Sequence, residues 1–128
     1  MGITILVAED SQTQRHMIAD MLKKKQYSVV TANNGKDALE KISQVSPDLI
    51  ITDVIMPEMN GYEVLRRLRS NPKTQQIPVI FCSSKATQVD IYWGLKQGAD
   101  AYISKPFQVQ ELLDTIKKLT QVNNYVNQ

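Results

Sequence analysis

A chain of 128 residues has room for one domain and not two. With 42% hydrophobic and 22% charged residues it has the balance of an ordinary soluble globular protein, long enough to bury a core without metal or disulfide staples. The net charge of +2 is too small to argue for a nucleic-acid reader, which needs a concentrated basic stripe, and the one basic run, Lys23-Lys24-Lys25, fits the solvated C-terminal end of a helix.

The predicted elements alternate strictly along the chain. An apolar run at Ile3–Ala8 reads as a strand, and Ser11–Lys25 as a helix with Ile18, Met21 and Leu22 on one face. A second strand at Ser28–Ala32 is closed by the turn residues Asn33-Asn34-Gly35, and a helix over Lys36–Val45 follows. Leu49–Thr52, Val79–Cys82 and Ala101–Ile103 are further strands. Tyr62–Arg69, Ala86–Gln97 and Gln108–Thr120 are the helices after them. The strands are rich in Val and Ile and nearly continuous in apolar residues, as strands buried on both faces of a parallel sheet are. Five such repeats predict an α/β domain of three layers with right-handed crossovers. The domain is placed at residues 1–120, and 121–128 is read as a short polar tail, frayed at the end.

Other features bound the class. The single cysteine, Cys82, rules out an internal disulfide, and its apolar neighbours predict a buried, inert thiol. The first residues run into Glu9-Asp10 without a basic leader, and Leu6 stands where a myristoylation signal needs Ser or Thr. No apolar stretch approaches the ~20 residues of a membrane span. These readings predict a cytoplasmic protein with no membrane insertion.

In such a fold, chemistry collects at the carboxyl ends of the strands. Glu9 and Asp10 end the first strand, Asp53 the third, Ser83-Ser84 the fourth, and Ser104-Lys105-Pro106 the fifth. Three converging carboxylates repel one another unless a cation intervenes. Oxygen ligands without His or Cys suit a hard ion such as Mg²⁺. A lysine and a hydroxyl beside that ion would hold phosphate oxygens, and an aspartate would be the nucleophile of a phosphoryl transfer. Taken singly, Glu9-Asp10 also fits a helix cap and Asp53 a turn.

Glu9-Asp10, Asp53-Val54-Ile55-Met56-Pro57 with Gly61, Ser83, Gly98-Ala99-Asp100, Tyr102 and Lys105-Pro106-Phe107 together resemble the receiver domains of two-component response regulators. The resemblance covers almost the whole chain. It implies the flavodoxin-like receiver fold, a doubly wound (βα)5 domain with a five-stranded parallel sheet. It implies that Asp53 accepts a phosphoryl group from a sensor histidine kinase. Asp10, Asp53 and the backbone carbonyl of Ile55 would bind Mg²⁺, with Glu9 acting through water. Lys105, before a cis peptide to Pro106, and Ser83 would engage the phosphoryl group. Tyr102 would turn inward as Ser83 moves, altering the surface of the fourth helix, fifth strand and fifth helix for a downstream protein target. Tyr102 also suits a core position with its hydroxyl at the rim. Trp93 either packs at the core edge or joins Ile91 and Leu95 as an exposed partner surface. His16 is expected at the surface.

Ser84 stands where the family often has Ala or Gly. Neither Ile55 nor Lys85 can orient an attacking water by taking its proton, which predicts slow loss of the phosphoryl group. The expected protein is a stand-alone regulator of the chemotaxis, twitching-motility or phototaxis kind. It would be no enzyme beyond its own Mg²⁺-dependent phosphorylation and dephosphorylation. The alternatives are a phosphate sink for the same kinase and a degenerate receiver that binds its partner constitutively. A flavin binder is disfavoured, because Glu9-Asp10 is the wrong charge for a phosphate loop.

Overall fold

The computed structural model describes residues 2–126. The elements are β1 (Thr4–Ala8), α1 (Gln12–Lys24), β2 (Ser28–Ala32), α2 (Gly35–Val45), β3 (Leu49–Thr52), α3 (Gly61–Arg69), β4 (Val79–Ser83), α4 (Gln88–Lys96), β5 (Ala101–Ser104) and α5 (Val109–Val126). All five strands are parallel, in the order β2-β1-β3-β4-β5. The expected doubly wound (βα)5 domain is therefore what the chain forms.

The order follows from the strand sequences. The apolar runs of β3 and β4 are buried throughout, and β1 from Ile5 onward, so these three fill the middle of the sheet. The more polar β2 and β5 lie at its edges. Side chains alternate between the two faces. On one face Leu6, Ala8, Ile50 and Phe81 pack with Ala38 and Ile42 of α2 and Val64, Leu65 and Leu68 of α3. On the other, Ile5, Val7, Ile51 and Ile80 pack with Ile18 and Leu22 of α1 and Leu112, Leu113 and Ile116 of α5.

Helix starts are set by short polar side chains that accept an otherwise orphaned backbone N–H. Ser11 accepts from Gln14, Asn34 from Asp37 and Asn60 from Glu63, at 3.3, 2.7 and 3.0 Å. Thr87 takes the same role for α4, and Asp90 returns a bond to it, so α4 begins at Gln88 and not at Ala86. At the other extreme α5 runs past the expected end at Thr120 to Val126; residues 127 and 128 lie outside the described residues.

From β1 the chain crosses to β2 on one side and then returns to β3 on the other. The carboxyl ends of β1 and β3 therefore face a crevice at the point where the winding reverses. Gly61 anchors the loop between β3 and α3. Its N–H donates to the Val54 carbonyl at 2.8 Å, and a Cβ there would lie 2.3 Å from the Asp53 carbonyl oxygen, so only glycine fits so near the site.

Candidate functional site

Asp53 follows β3 directly and is partly buried. Its Oδ1 accepts from the backbone N–H groups of Val54 and Ile55 at 2.6 and 3.2 Å, which fixes the carboxylate plane. Its Oδ2 accepts from Lys105 Nζ at 2.8 Å. Glu9, buried at the end of β1, accepts from Ser11 N–H at 3.0 Å through Oε2 and pairs with Lys105 through Oε1. Asp10 is exposed beside it. One oxygen each from Glu9, Asp10 and Asp53 lie within 4.8 Å of one another.

The charges in this crevice are not independent. Burial pushes the Glu9 carboxyl above its ordinary value, and the Lys105 ammonium and the Ser11 N–H offset that only in part. Burial acts the same way on Asp53. There the Lys105 ammonium, the Ser83 hydroxyl and the Ile55 N–H prevail, and the carboxyl lies below its ordinary value. Lys105 would be lowered by burial, but Asp53 and Glu9 hold it above its ordinary value. At neutral pH Asp53 is thus an anion with a cation against one oxygen.

The donor set fits a hard divalent ion. The three side-chain candidates are carboxylates, neither His nor Cys takes part, and the Lys105 ammonium pairs with two of them. This acidic triad could chelate Mg²⁺.

Ser83 ends β4 fully buried, and its hydroxyl accepts from the Lys85 N–H at 3.2 Å. Register brings β5 alongside, with Lys105 N–H donating to the Ser83 carbonyl at 3.0 Å. The Lys105–Pro106 peptide is cis, as the resemblance implied. Tyr102 is partly buried. Its ring meets Phe81 edge-on at 5.8 Å, and its hydroxyl donates to the Lys85 carbonyl in the β4–α4 loop. Burial raises its phenol to about 12.

The strand ends thus bring Glu9, Asp10, Asp53, Ser83 and Lys105 to one place. The α4 residues form a separate surface. Trp93 is 51% and Leu95 44% exposed, so the tryptophan is not a core residue, while Ile91 is partly buried. Val89 and Tyr92 add to this surface and were not singled out from the sequence. His16 is exposed. Cys82 is buried. Gln14 was also missed. Its Oε1 accepts from Lys105 Nζ at 2.5 Å. No spacing in the sequence marks it, because its partner Lys105 lies 91 residues further on.

The fold and crevice define a class: a doubly wound domain with a carboxylate cluster and a lysine at the carboxyl edge of its sheet. The sequence matches the response regulator receiver domain family over residues 5–117, and the chain belongs to that family. It is a receiver domain of two-component signalling. It is 38% identical over 112 residues to protein PilH of Pseudomonas aeruginosa, covering 88% of this chain and 93% of that protein. It is 43% identical over 118 residues to histidine kinase P4 of Formosa agariphila, covering 92% of this chain but only 8% of the kinase. Among solved structures, the chemotaxis protein CheY4 of Vibrio cholerae superposes with a TM-score of 0.87 at 29% identity, covering 93% of this chain and 99% of that one. No helix among the described residues is long and apolar enough to cross a membrane.

Proposed function

We propose that this domain is a phosphoryl-accepting response regulator in which Asp53 is the acceptor. The observation that carries the reading is the Asp53 carboxylate held at one oxygen by Lys105 and flanked by Glu9 and Asp10. A carboxylate oxygen of Asp53 attacks the phosphorus of a phosphohistidine on a sensor histidine kinase. The P–N bond breaks, the imidazole nitrogen leaves with the bond's electrons, and an acyl phosphate forms.

Lys105 and Ser83 then donate to the phosphoryl oxygens. Glu9, Asp10, Asp53 and the Ile55 carbonyl would hold Mg²⁺, which supplies neutralisation of charge on those oxygens. The added charge of roughly −1.5 to −2 draws on Ser83. Ser83 is linked through the backbone of Lys85 to the Tyr102 hydroxyl. Tyr102 passes the change to the surface of α4, β5 and α5, where Ile91, Trp93, Leu95 and Tyr102 meet a downstream protein.

The domain is taken as residues 1–120 with a short segment after it. We read its role as motility or taxis signalling in the cytoplasm, a reading supported by the likeness to a chemotaxis protein. Intact mass after incubation with acetyl phosphate and Mg²⁺ tests the chemistry. One phosphoryl group is expected, absent without Mg²⁺ and absent in Asp53→Asn. A folded protein that stays unmodified even with a histidine kinase present would instead favour a constitutive binding module.

A further inference from the structure

Lys105 has three N–H donors and meets three acceptors: Glu9 Oε1, Asp53 Oδ2 at 2.8 Å and Gln14 Oε1 at 2.5 Å. An ammonium can donate three hydrogen bonds and accept none, so its set is complete with Gln14 and incomplete without it. The same chemistry fixes the amide orientation, because an ammonium must meet the oxygen of Gln14 and not its nitrogen.

The acceptors differ in what else they do. Glu9 and Asp53 belong to the carboxylate cluster that would hold a cation, and Asp53 gives up a carboxylate oxygen to the bond with phosphorus. Gln14 has no second duty. It is neutral, so it holds the ammonium without adding a fourth negative charge to a cluster of three. It stands on α1, whereas Lys105 follows β5, so the bond ties the lysine tip to a different element from the one that carries its backbone.

We propose that Gln14 is a positioning residue for phosphoryl transfer, holding the Lys105 ammonium at the mouth of the crevice through the exchange of its other partners. The proposal rests on the reading of Asp53 as phosphoacceptor. An ammonium held in place before reaction donates to the phosphoryl oxygens without first being ordered. One left with two acceptors, both about to be drawn elsewhere, has to be ordered during the reaction.

The test is phosphorylation of the full chain by acetyl phosphate at fixed Mg²⁺, followed by intact mass. Wild type, Gln14→Leu and Gln12→Leu, an exposed site on the same helix, are compared. The Mg²⁺ dissociation constant of each is measured separately. Gln14 lines an open groove of about 890 Å³ between α1 and the start of α5, so leucine fits there without overpacking.

Gln14→Leu should react about ten- to a hundredfold more slowly, the scale of one lost charge-assisted hydrogen bond. Its Mg²⁺ affinity should stay within about twofold of wild type, because the cation's carboxylates are untouched. Gln12→Leu should match wild type. An equal or faster rate in Gln14→Leu overturns the proposal, and so does a fall in Mg²⁺ affinity that accounts for the slower rate. Should Gln14→Leu fail to fold, Gln14→Asn, whose amide is too short to reach Lys105, is judged by the same criteria. A wild type that takes no phosphoryl group from acetyl phosphate, nor from a histidine kinase, overturns the parent reading, which is a separate outcome from equal rates in a reactive pair.

Discussion

Lys105 is the residue on which the crevice turns. Its side chain is 13% exposed and sits between Glu9 and Asp53 at 4% and 12%. Removing it leaves the carboxylates facing one another with no cation among them, a larger penalty than the loss of a surface ion pair. Lys105→Met should lower stability by about 1–3 kcal/mol in urea unfolding without Mg²⁺. Adding Mg²⁺ should restore part of that loss, more than it gives to wild type; an equal increment in both proteins would contradict the account. Cys82 gives a second residue-scale test. Burial raises its thiol to about 12, so at pH 8 the thiolate is scarce. Iodoacetamide should leave the native protein unlabelled over an hour and modify it fully in denaturant. The sequence announced Asp53, Glu9, Asp10 and Lys105 because strand ends in this topology converge whatever the loops do. It did not announce Gln14, because a glutamine on a helix is ordinarily solvated, and only the reach of Lys105 across from β5 gives it a partner.

At the scale of elements, α4 is the thinnest attachment of the fold. Gly94 is its one buried residue, and a Cβ there would come within 2.8 Å of two Tyr102 ring atoms and 3.1 Å of Phe81. The glycine is therefore the seat of the Tyr102 ring. Gly94→Ala has to push the ring outward, at a cost of about 1–3 kcal/mol typical of overpacking. The phenol then regains water, and its titration should fall from about 12 toward the ordinary value of 10. The sign can be followed in stability as well. Tyr102 stays neutral in the fold when it has already ionised in the unfolded chain, so its contribution is complete below pH 10 and is lost as pH rises toward 12. In Gly94→Ala this alkaline decline should shrink. Ultraviolet titration of the phenols, with Tyr102→Phe as reference, measures it. The seat could not be read from Gly94 alone, since a helical glycine shows its packing reason only once the neighbouring strand is in place. The length of α5 was hidden for a related reason. Asn123 and Asn124 are weak helix formers, and local propensity argued for a frayed tail where the helix continues.

Across the whole molecule, two buried layers hold one rim, and the lifetime of any acyl phosphate depends on what that rim offers to water. Hydrolysis needs a water held in line with the phosphorus by a group that accepts its proton. Ile55, 59% exposed next to the Asp53 loop, offers only carbon. Lys85, on the β4–α4 loop, carries a cation, and its ammonium is paired with Asp90. Asp90 in turn is committed to capping α4 with Thr87, and Lys85 and Thr87 together hold its carboxyl at about 2, so it stays a weak base at neutral pH. No proton acceptor among these rim residues is therefore free to act on a water at Asp53. Once formed with Mg²⁺ present and donor removed, the phosphorylated protein should decay over minutes or longer, read by intact mass at intervals. Replacing Ile55 by Gln or Glu introduces an oxygen at the rim and should shorten the lifetime by about threefold to tenfold, short of the roughly hundredfold or more of a fully positioned acceptor. A wild-type lifetime of seconds would show that water is oriented by some other group. It would also weaken the case for a slow signalling state over a rapidly turning phosphate sink.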